Sequence, residues 1–240
     1  MSDSIAIASA SGPMVEILCA SALRSALSEC ASEFAKIGGA AAFRFDTSGG
    51  VNKRGRDGEA CDLFASSLDF IEDLAARGIA SPAVIRVGSS RIALGVRTQT
   101  AAPDISTQGK FCDALLAAKA IAIGDPAGGG TAGTYLQGVI AGLGLTEALA
   151  SKLILRVGGF NVMREVAEGN ADFGLTQSTE IGAVEGVRIG AWLTDELQLT
   201  TQYALAPKAG KPTRAACRFT DFLAEPRIRE IFDRAGFARP

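Results

Sequence analysis

Short apolar runs alternate with helix-patterned stretches from Val15 almost to the end of this 240-residue chain. That alternation leaves few architectures open. A strand followed by a helix returns most simply to a parallel strand of the same sheet. Residues 15–19, 41–46, 63–65 and 92–96 read as strands. Between them, 23–37 has helical periodicity, with Leu23, Leu27, Cys30 and Phe34 on one face and Gly38-Gly39 as the stop. Residues 67–77 read as a second helix. The later half repeats the habit, with strands at 120–124, 153–157, 172–176, 187–193 and 199–205 and helices at 131–143, 162–168, 219–223 and 226–235. Pro226 suits the first turn of the last helix. Ala101-Ala102-Pro103 breaks the pattern near the middle, and residues 186–198 form a later crossing. The expectation is two α/β lobes, lobe I from 1–97 plus 199–240 and lobe II from 98–198. In such sheets ligands bind beyond the carboxyl ends of the strands.

Composition then removes whole classes of chemistry. The chain has no histidine, so Ser-His-Asp and Cys-His nucleophile systems, histidine zinc sites and histidine pH switches are excluded. Acid-base work would fall to carboxylates, Lys, Tyr, Cys or water. A formal net charge of -2 argues against nucleic acid, which needs a concentrated basic face. The densest basic cluster, Lys53, Arg54 and Arg56, lies between Asp46 and Asp57 without interleaved aromatics and reads as a solvated helix face. The five cysteines are widely spaced with no C-x-x-C, so neither a disulfide framework nor a metal knuckle is expected. Cys19 and Cys61 sit in or beside strand-like runs and are expected to be buried thiols. No metal or cofactor is expected. The opening Met1-Ser2-Asp3-Ser4 lacks a basic region, and Glu16 interrupts the first apolar stretch, so no secretory signal is read and no run is long enough to cross a membrane. As written, the chain is expected in the cytoplasm; a processed mature form would be periplasmic.

Four strand-to-helix junctions carry the remaining signal. The first is Cys19-Ala20-Ser21-Ala22, where Ser21 reads as a helix N-cap beside free amides. The second is Asp46-Thr47-Ser48-Gly49-Gly50, two hydroxyls beside glycines that let the backbone approach a ligand. The third runs from Gly124 through Asp125-Pro126-Ala127-Gly128-Gly129-Gly130-Thr131-Ala132-Gly133. It formally satisfies G-x-G-x-x-G, but Asp125-Pro126-Ala127 separates the glycines from the strand and no Lys-Ser/Thr follows them. What remains is a glycine-rich turn feeding a helix start, a small-anion cradle with Thr131 as hydroxyl donor. The fourth is Gly174-Leu175-Thr176-Gln177-Ser178-Thr179-Glu180, in which Gln177 and Ser178 can donate to a carboxylate or oxyanion. Ser, Thr, Gly and Gln dominate these junctions, and neutral donors at helix starts suit a compact anion held by dipoles.

At these residues the chain resembles the molybdate-binding-protein family, the type II periplasmic-binding-protein fold. The resemblance runs from about Val15 to Phe237. It rests on Cys19-Ala20-Ser21-Ala22-Leu23, Asp46-Thr47-Ser48-Gly49-Gly50, Ala60-Cys61-Asp62-Leu63-Phe64-Ala65, Ala122-Ile123-Gly124-Asp125-Pro126 with Ala132-Gly133-Thr134-Tyr135, and Glu230-Ile231-Phe232-Asp233-Arg234-Ala235-Gly236-Phe237. It implies an α/β fold of two lobes, each a mixed sheet flanked by helices, with a ligand cleft between them. It also implies an ABC permease as partner if the chain is exported. Ser21 and Ser48 match the family's two ligand-binding serines, and the backbone near Ala132 and the residue at Val162 match two further contact positions. Molybdate binders place a tyrosine where this chain has Gln177, and the Thr131 hydroxyl is also outside their pattern.

A subgroup is more similar still. Pro103-Asp104-Ile105-Ser106-Thr107, the turn 125–133 and Thr176-Gln177-Ser178-Thr179-Glu180-Ile181 resemble the molybdate-binder-like proteins that include aconitate isomerase. The sequence therefore predicts a binder of a small oxyanion or carboxylate, using Ser21, Thr47, Ser48, Gly49, Gly130, Thr131, Ala132, Val162, Gln177 and Ser178. The alternative it carries is an isomerase of unsaturated carboxylates that shifts a proton and a double bond. Asp46, Asp125 and Glu180 lie in or beside the junctions, and none of them stands out as a base.

Overall fold

The computed structural model describes residues 4–8 and 13–239, so Met1-Ser2-Asp3 lies outside the described residues. In chain order come β1 (Ser4–Ala8), β2 (Met14–Ala20), α1 (Arg24–Lys36), β3 (Ala40–Asp46), α2 (Ser48–Arg56), β4 (Leu63–Ser67), α3 (Leu68–Ala76) and β5 (Ile85–Arg97). There follow α4 (Gln108–Ala117), β6 (Ile121–Gly124), α5 (Thr131–Gly142), α6 (Thr146–Leu149), β7 (Leu153–Arg156), α7 (Gly159–Ala167), β8 (Phe173–Gln177) and α8 (Ser178–Ile181). The chain ends with β9 (Val187–Trp192), β10 (Thr200–Pro207), α9 (Arg214–Leu223) and α10 (Pro226–Arg234). It divides into two compact units, 1–89 with 201–240 and 90–200.

In the first unit the strand order is β1-β3-β2-β4-β10. The central three strands are parallel; β1 and β10 run antiparallel at the margins. Alternation along each strand sorts side chains onto two faces. On one face Ile17, Phe43 and Leu63 form a row across β2, β3 and β4, and Cys19, Phe45 and Ala65 form the next. All six belong to one apolar cluster that also takes Leu27, Cys30 and Phe34 from α1 and Phe219 and Phe222 from α9. The Phe34 ring lies 5.2 Å from both of those C-terminal rings. On the other face Leu18, Phe64, Ala204 and Ala206 pack with Val51, Ile71 and Leu74 of α2 and α3. Helix α1 stops where Gly38 takes a positive φ of 77°, which side chains resist.

In the second unit the order is β9-β5-β8-β6-β7. Here β8, β6 and β7 are parallel, and β5 is antiparallel to both β8 and β9. One face packs on Phe111, Leu115, Leu136 and Ile140 of α4 and α5, the other on Val162, Met163 and Val166 of α7. The antiparallel β1 and the helix α4 carry no strong sequence signal and were not expected. Each unit thus holds three parallel strands whose carboxyl ends lead directly into helical turns.

Candidate functional site

In the first unit, β2, β3 and β4 end at Ala20, Asp46 and Ser67. Ser21 is not an N-cap, contrary to the sequence reading. It is the first residue of a 3-10 turn, Ser21–Leu23, that Ala20 precedes without a side-chain cap. Its hydroxyl instead donates to the Asp46 carbonyl at 3.0 Å, tying two strand ends together. Thr47 is the true cap of α2: its Oγ1 accepts from the Gly50 amide at 3.0 Å. Asp46 Oδ1 accepts the Thr47 amide at 2.8 Å. A Cβ on Gly50 would overlap that Asp46 carboxylate, which explains the glycine there. Ser48 and Gly49 lie in the first turn of α2, and Ser48 is buried. Its carbonyl accepts the Ser66 hydroxyl at 3.3 Å.

One member of the basic cluster, Arg54, serves this junction. Lys53 pairs with Asp57 at 2.5 Å and is exposed. Arg54 is half-buried; its guanidinium meets Glu59 at 2.6 Å and Asp46 at 3.4 Å. The hydrogen bond with Glu59 raises the Arg54 pKa and holds the Glu59 carboxyl below the usual range. Arg54 therefore clamps the β3–α2 turn and is not part of a solvated face. Cys19 is buried, whereas Cys61 is only half-buried, in the loop before β4. Burial pushes the Cys30 thiol up to about 12 and the Cys61 thiol to about 11, so neither ionises near neutrality.

In the second unit the glycine-rich segment is two structures in series. Residues Pro126–Gly128 form a 3-10 turn that Asp125 caps, its Oδ1 accepting the Ala127 amide at 2.9 Å. Gly129 then takes φ 68°, and Gly130 is the extended N-cap residue of α5 with no side-chain cap. Thr131 follows at the first position, and its buried Oγ1 has no hydrogen-bond partner among the described residues. Ala132 is buried in the same turn. Gly133 is a packing glycine: a Cβ there would stand 2.5 Å from the Gly124 carbonyl oxygen, so α5 sits directly on the end of β6.

The neighbouring junction behaves differently. Helix α7 starts at Gly159, three residues before the expected Val162. Glu180, buried at the start of α8, accepts the Gly159 amide at 3.0 Å and the Thr176 hydroxyl at 2.7 Å. A carboxylate at a helix N-terminus is favoured by the dipole. Val162 is fully buried, and its amide donates to the Gly158 carbonyl at 3.2 Å. Gln177 and Ser178 straddle the β8–α8 boundary and are both buried. The Ser178 hydroxyl lies 3.0 Å from Ser90 Oγ, to which Thr179 donates at 3.4 Å. Sequence reading missed Ser90, because nothing local marks a serine in mid-strand as the partner of a distant loop.

Within each unit the expected residues gather at one sheet edge: Ser21, Thr47, Ser48 and Gly49 in the first; Gly130, Thr131, Ala132, Gln177 and Ser178 in the second. The three carboxylates weighed as bases all hold structural hydrogen bonds, Asp46 to Thr47, Asp125 to Ala127 and Glu180 to Gly159 and Thr176. No group of three or more His, Cys, Asp or Glu able to hold a metal ion occurs among the described residues. None of the described helices is long and apolar enough to cross a membrane.

Two α/β units linked by two chain passages, with hydroxyl- and amide-rich parallel strand ends, define a periplasmic-binding-type architecture. The chain belongs to the bacterial extracellular solute-binding protein family, whose model matches residues 15–238. It is 25% identical over 235 residues to the molybdate-binding protein ModA of Escherichia coli K12, covering 93% of this chain and 88% of that one. It is 28% identical over 195 residues to the aconitate isomerase of a Pseudomonas species, covering 80% and 72%. Among solved structures, the periplasmic molybdate-binding protein of Azotobacter vinelandii superposes with a TM-score of 0.76 at 22% identity, over 94% of this chain and 99% of that one. The chain is a solute-binding protein with the two-lobed periplasmic-binding fold, similar to molybdate binders.

Proposed function

We propose that this protein binds a small oxyanion or carboxylate through helix N-terminal amides and the side-chain donors Thr47, Ser48, Thr131, Gln177 and Ser178. The observation that carries the reading is the start of α5. A twelve-residue helix opens without a side-chain cap, and the Thr131 hydroxyl beside it is buried and unpartnered among the described residues. Leaving a buried hydroxyl unbonded costs about 1–3 kcal/mol, a cost that a bound anion removes. The uncapped amides carry the positive end of the helix dipole. The likeness to ModA supports an anion as the ligand. Gln177 in place of a tyrosine favours a ligand other than molybdate, with a carboxylate first in line. Delivery to an ABC permease at the outer face of a membrane is the role this reading implies. Calorimetry with molybdate, tungstate, sulfate, phosphate, and small di- and tricarboxylates tests it; no heat with any of them removes the reading.

A second reading is favoured by the likeness to aconitate isomerase. A proton would leave the methylene carbon of cis-aconitate, the double bond would shift, and a proton would return to the far alkene carbon. Amides at the α5 start would stabilise the enolate-like charge. NMR of cis-aconitate with the protein in D2O decides it: neither trans product nor deuterium uptake excludes this activity.

A further inference from the structure

The rows of side chains across β2, β3 and β4 change character at the sheet edge. Two residues beyond Cys19, Phe45 and Ala65 come Ser21 and Thr47, one residue past the ends of β2 and β3, and Ser67, the last residue of β4. Three hydroxyl residues thus stand at the carboxyl ends of three parallel strands, where α/β sheets take their ligands. Two of the three are already engaged: Ser21 Oγ donates to the Asp46 carbonyl, and Thr47 Oγ1 accepts from Gly50. Ser67 is different. It is fully buried, and its Oγ has no hydrogen-bond partner among the described residues. It occupies the N-cap position of the nine-residue helix α3 with extended φ/ψ, yet it makes no cap bond. A serine in that position normally turns its hydroxyl onto the first-turn amides. Here the hydroxyl has no partner among the described residues, and α3 begins without a side-chain cap bond.

We propose that Ser67 is a ligand-contacting residue of the first unit, donating its hydroxyl to an acceptor oxygen of the bound oxyanion or carboxylate. This rests on the binding function proposed above. Neighbouring Ser66 has the opposite role: its side chain points to the other face and holds the Ser48 carbonyl. The pairing of Ser67 with Tyr203 on β10 fixes the serine at the end of β4. A donor of this kind contributes orientation as well as affinity, and it favours a ligand with one more acceptor oxygen than the Thr47 and Ser48 junction alone would serve.

The test uses the full chain, with sodium molybdate and sodium cis-aconitate as calorimetric probes, on wild type, Ser67→Ala and Ser67→Cys. The cysteine variant keeps the side-chain shape with a slightly larger atom and replaces a strong donor by a weak one. The expected result is a Kd at least about tenfold weaker in both variants, as for loss of a hydrogen bond to a charged group. Melting temperatures without ligand should be equal to or above that of wild type, since an unbonded buried hydroxyl has been removed. Wild-type binding with variant affinity within about twofold overturns the role of Ser67 alone, that factor lying below the value of one hydrogen bond. A lower melting temperature in both variants also overturns it, because the hydroxyl would then be structural. If wild type binds neither probe, the same comparison is made with whichever of tungstate, sulfate, phosphate and the small di- and tricarboxylates it binds; no binding of any of them removes the oxyanion-or-carboxylate reading, and the Ser67 role with it.

Discussion

The helices α5 and α7 both begin at the carboxyl ends of neighbouring parallel strands in the second unit, and their first turns are completed in opposite ways. At α7 the protein supplies its own anion, the buried carboxylate of Glu180 on the Gly159 amide. At α5 it supplies none: Gly130 offers no side chain, and Thr131 Oγ1 is left unpartnered among the described residues. Glycine at both helix starts therefore has two meanings. Gly159 makes room for an internal partner, since a Cβ there would overlap Glu180 and Thr176. Gly130 leaves a helix end uncovered. The two helix starts differ in what completes their first turns, and glycine content alone does not distinguish them.

This contrast can be broken experimentally, and the largest effect is expected at α7. Gly159→Ala forces a methyl into the Glu180–Thr176 hydrogen bond and should cost about 3 kcal/mol in urea unfolding. A loss below about 1 kcal/mol would show that Glu180 is free to move away, and the two helix starts would then be alike. Gly133→Ala should cost about 2 kcal/mol, because the added Cβ would stand 2.5 Å from the Gly124 carbonyl oxygen, a less severe overlap than the 2.0 Å at Gly159. That variant sharpens the comparison by separating the packing glycine of α5 from its uncapped start. Glu180→Gln keeps an acceptor for Gly159 and removes the charge, with an expected loss of about 1–2 kcal/mol. Unchanged or improved stability would mean that the carboxylate is not what completes α7. Thr131→Val is expected to have the smallest effect on folding, within about 0.5 kcal/mol. It should nonetheless weaken ligand binding; a marked fall in stability with unaltered affinity would place Thr131 among structural residues.

Much of the fold was legible because periodicity is local. The runs at 15–19 and 41–46 became β2 and β3 with a residue or two added, and the face of Leu27, Cys30 and Phe34 is the buried face of α1. Helix α4 was not legible, since its buried residues Phe111 and Leu115 are too few to mark a period. The start of α7 was read late because Gly158-Gly159 suggests a break, when in fact Glu180 holds the first turn in place. At the candidate site the residue types were readable and their engagements were not. Ser21 was read as a cap, but its partner, the Asp46 carbonyl, lies on a different strand. Ser67 was read only as the first residue of the helix 67–77, although it ends a strand and opens a helix by the same rule that singled out Ser21 and Thr47.

By itself the sequence determined the α/β class, the absence of histidine chemistry and the junctions where neutral donors collect. These follow from short-range patterning, which each segment carries within its own residues. Only the tertiary structure decided which donors are committed and which remain open. A hydroxyl's partner is set by strand order and register, and those bring together residues as distant as Ser90 and Ser178. The same amino acid is a tie at Ser21 and unpaired at Ser67, because one faces a neighbouring strand's carbonyl and the other has no hydrogen-bond partner among the described residues.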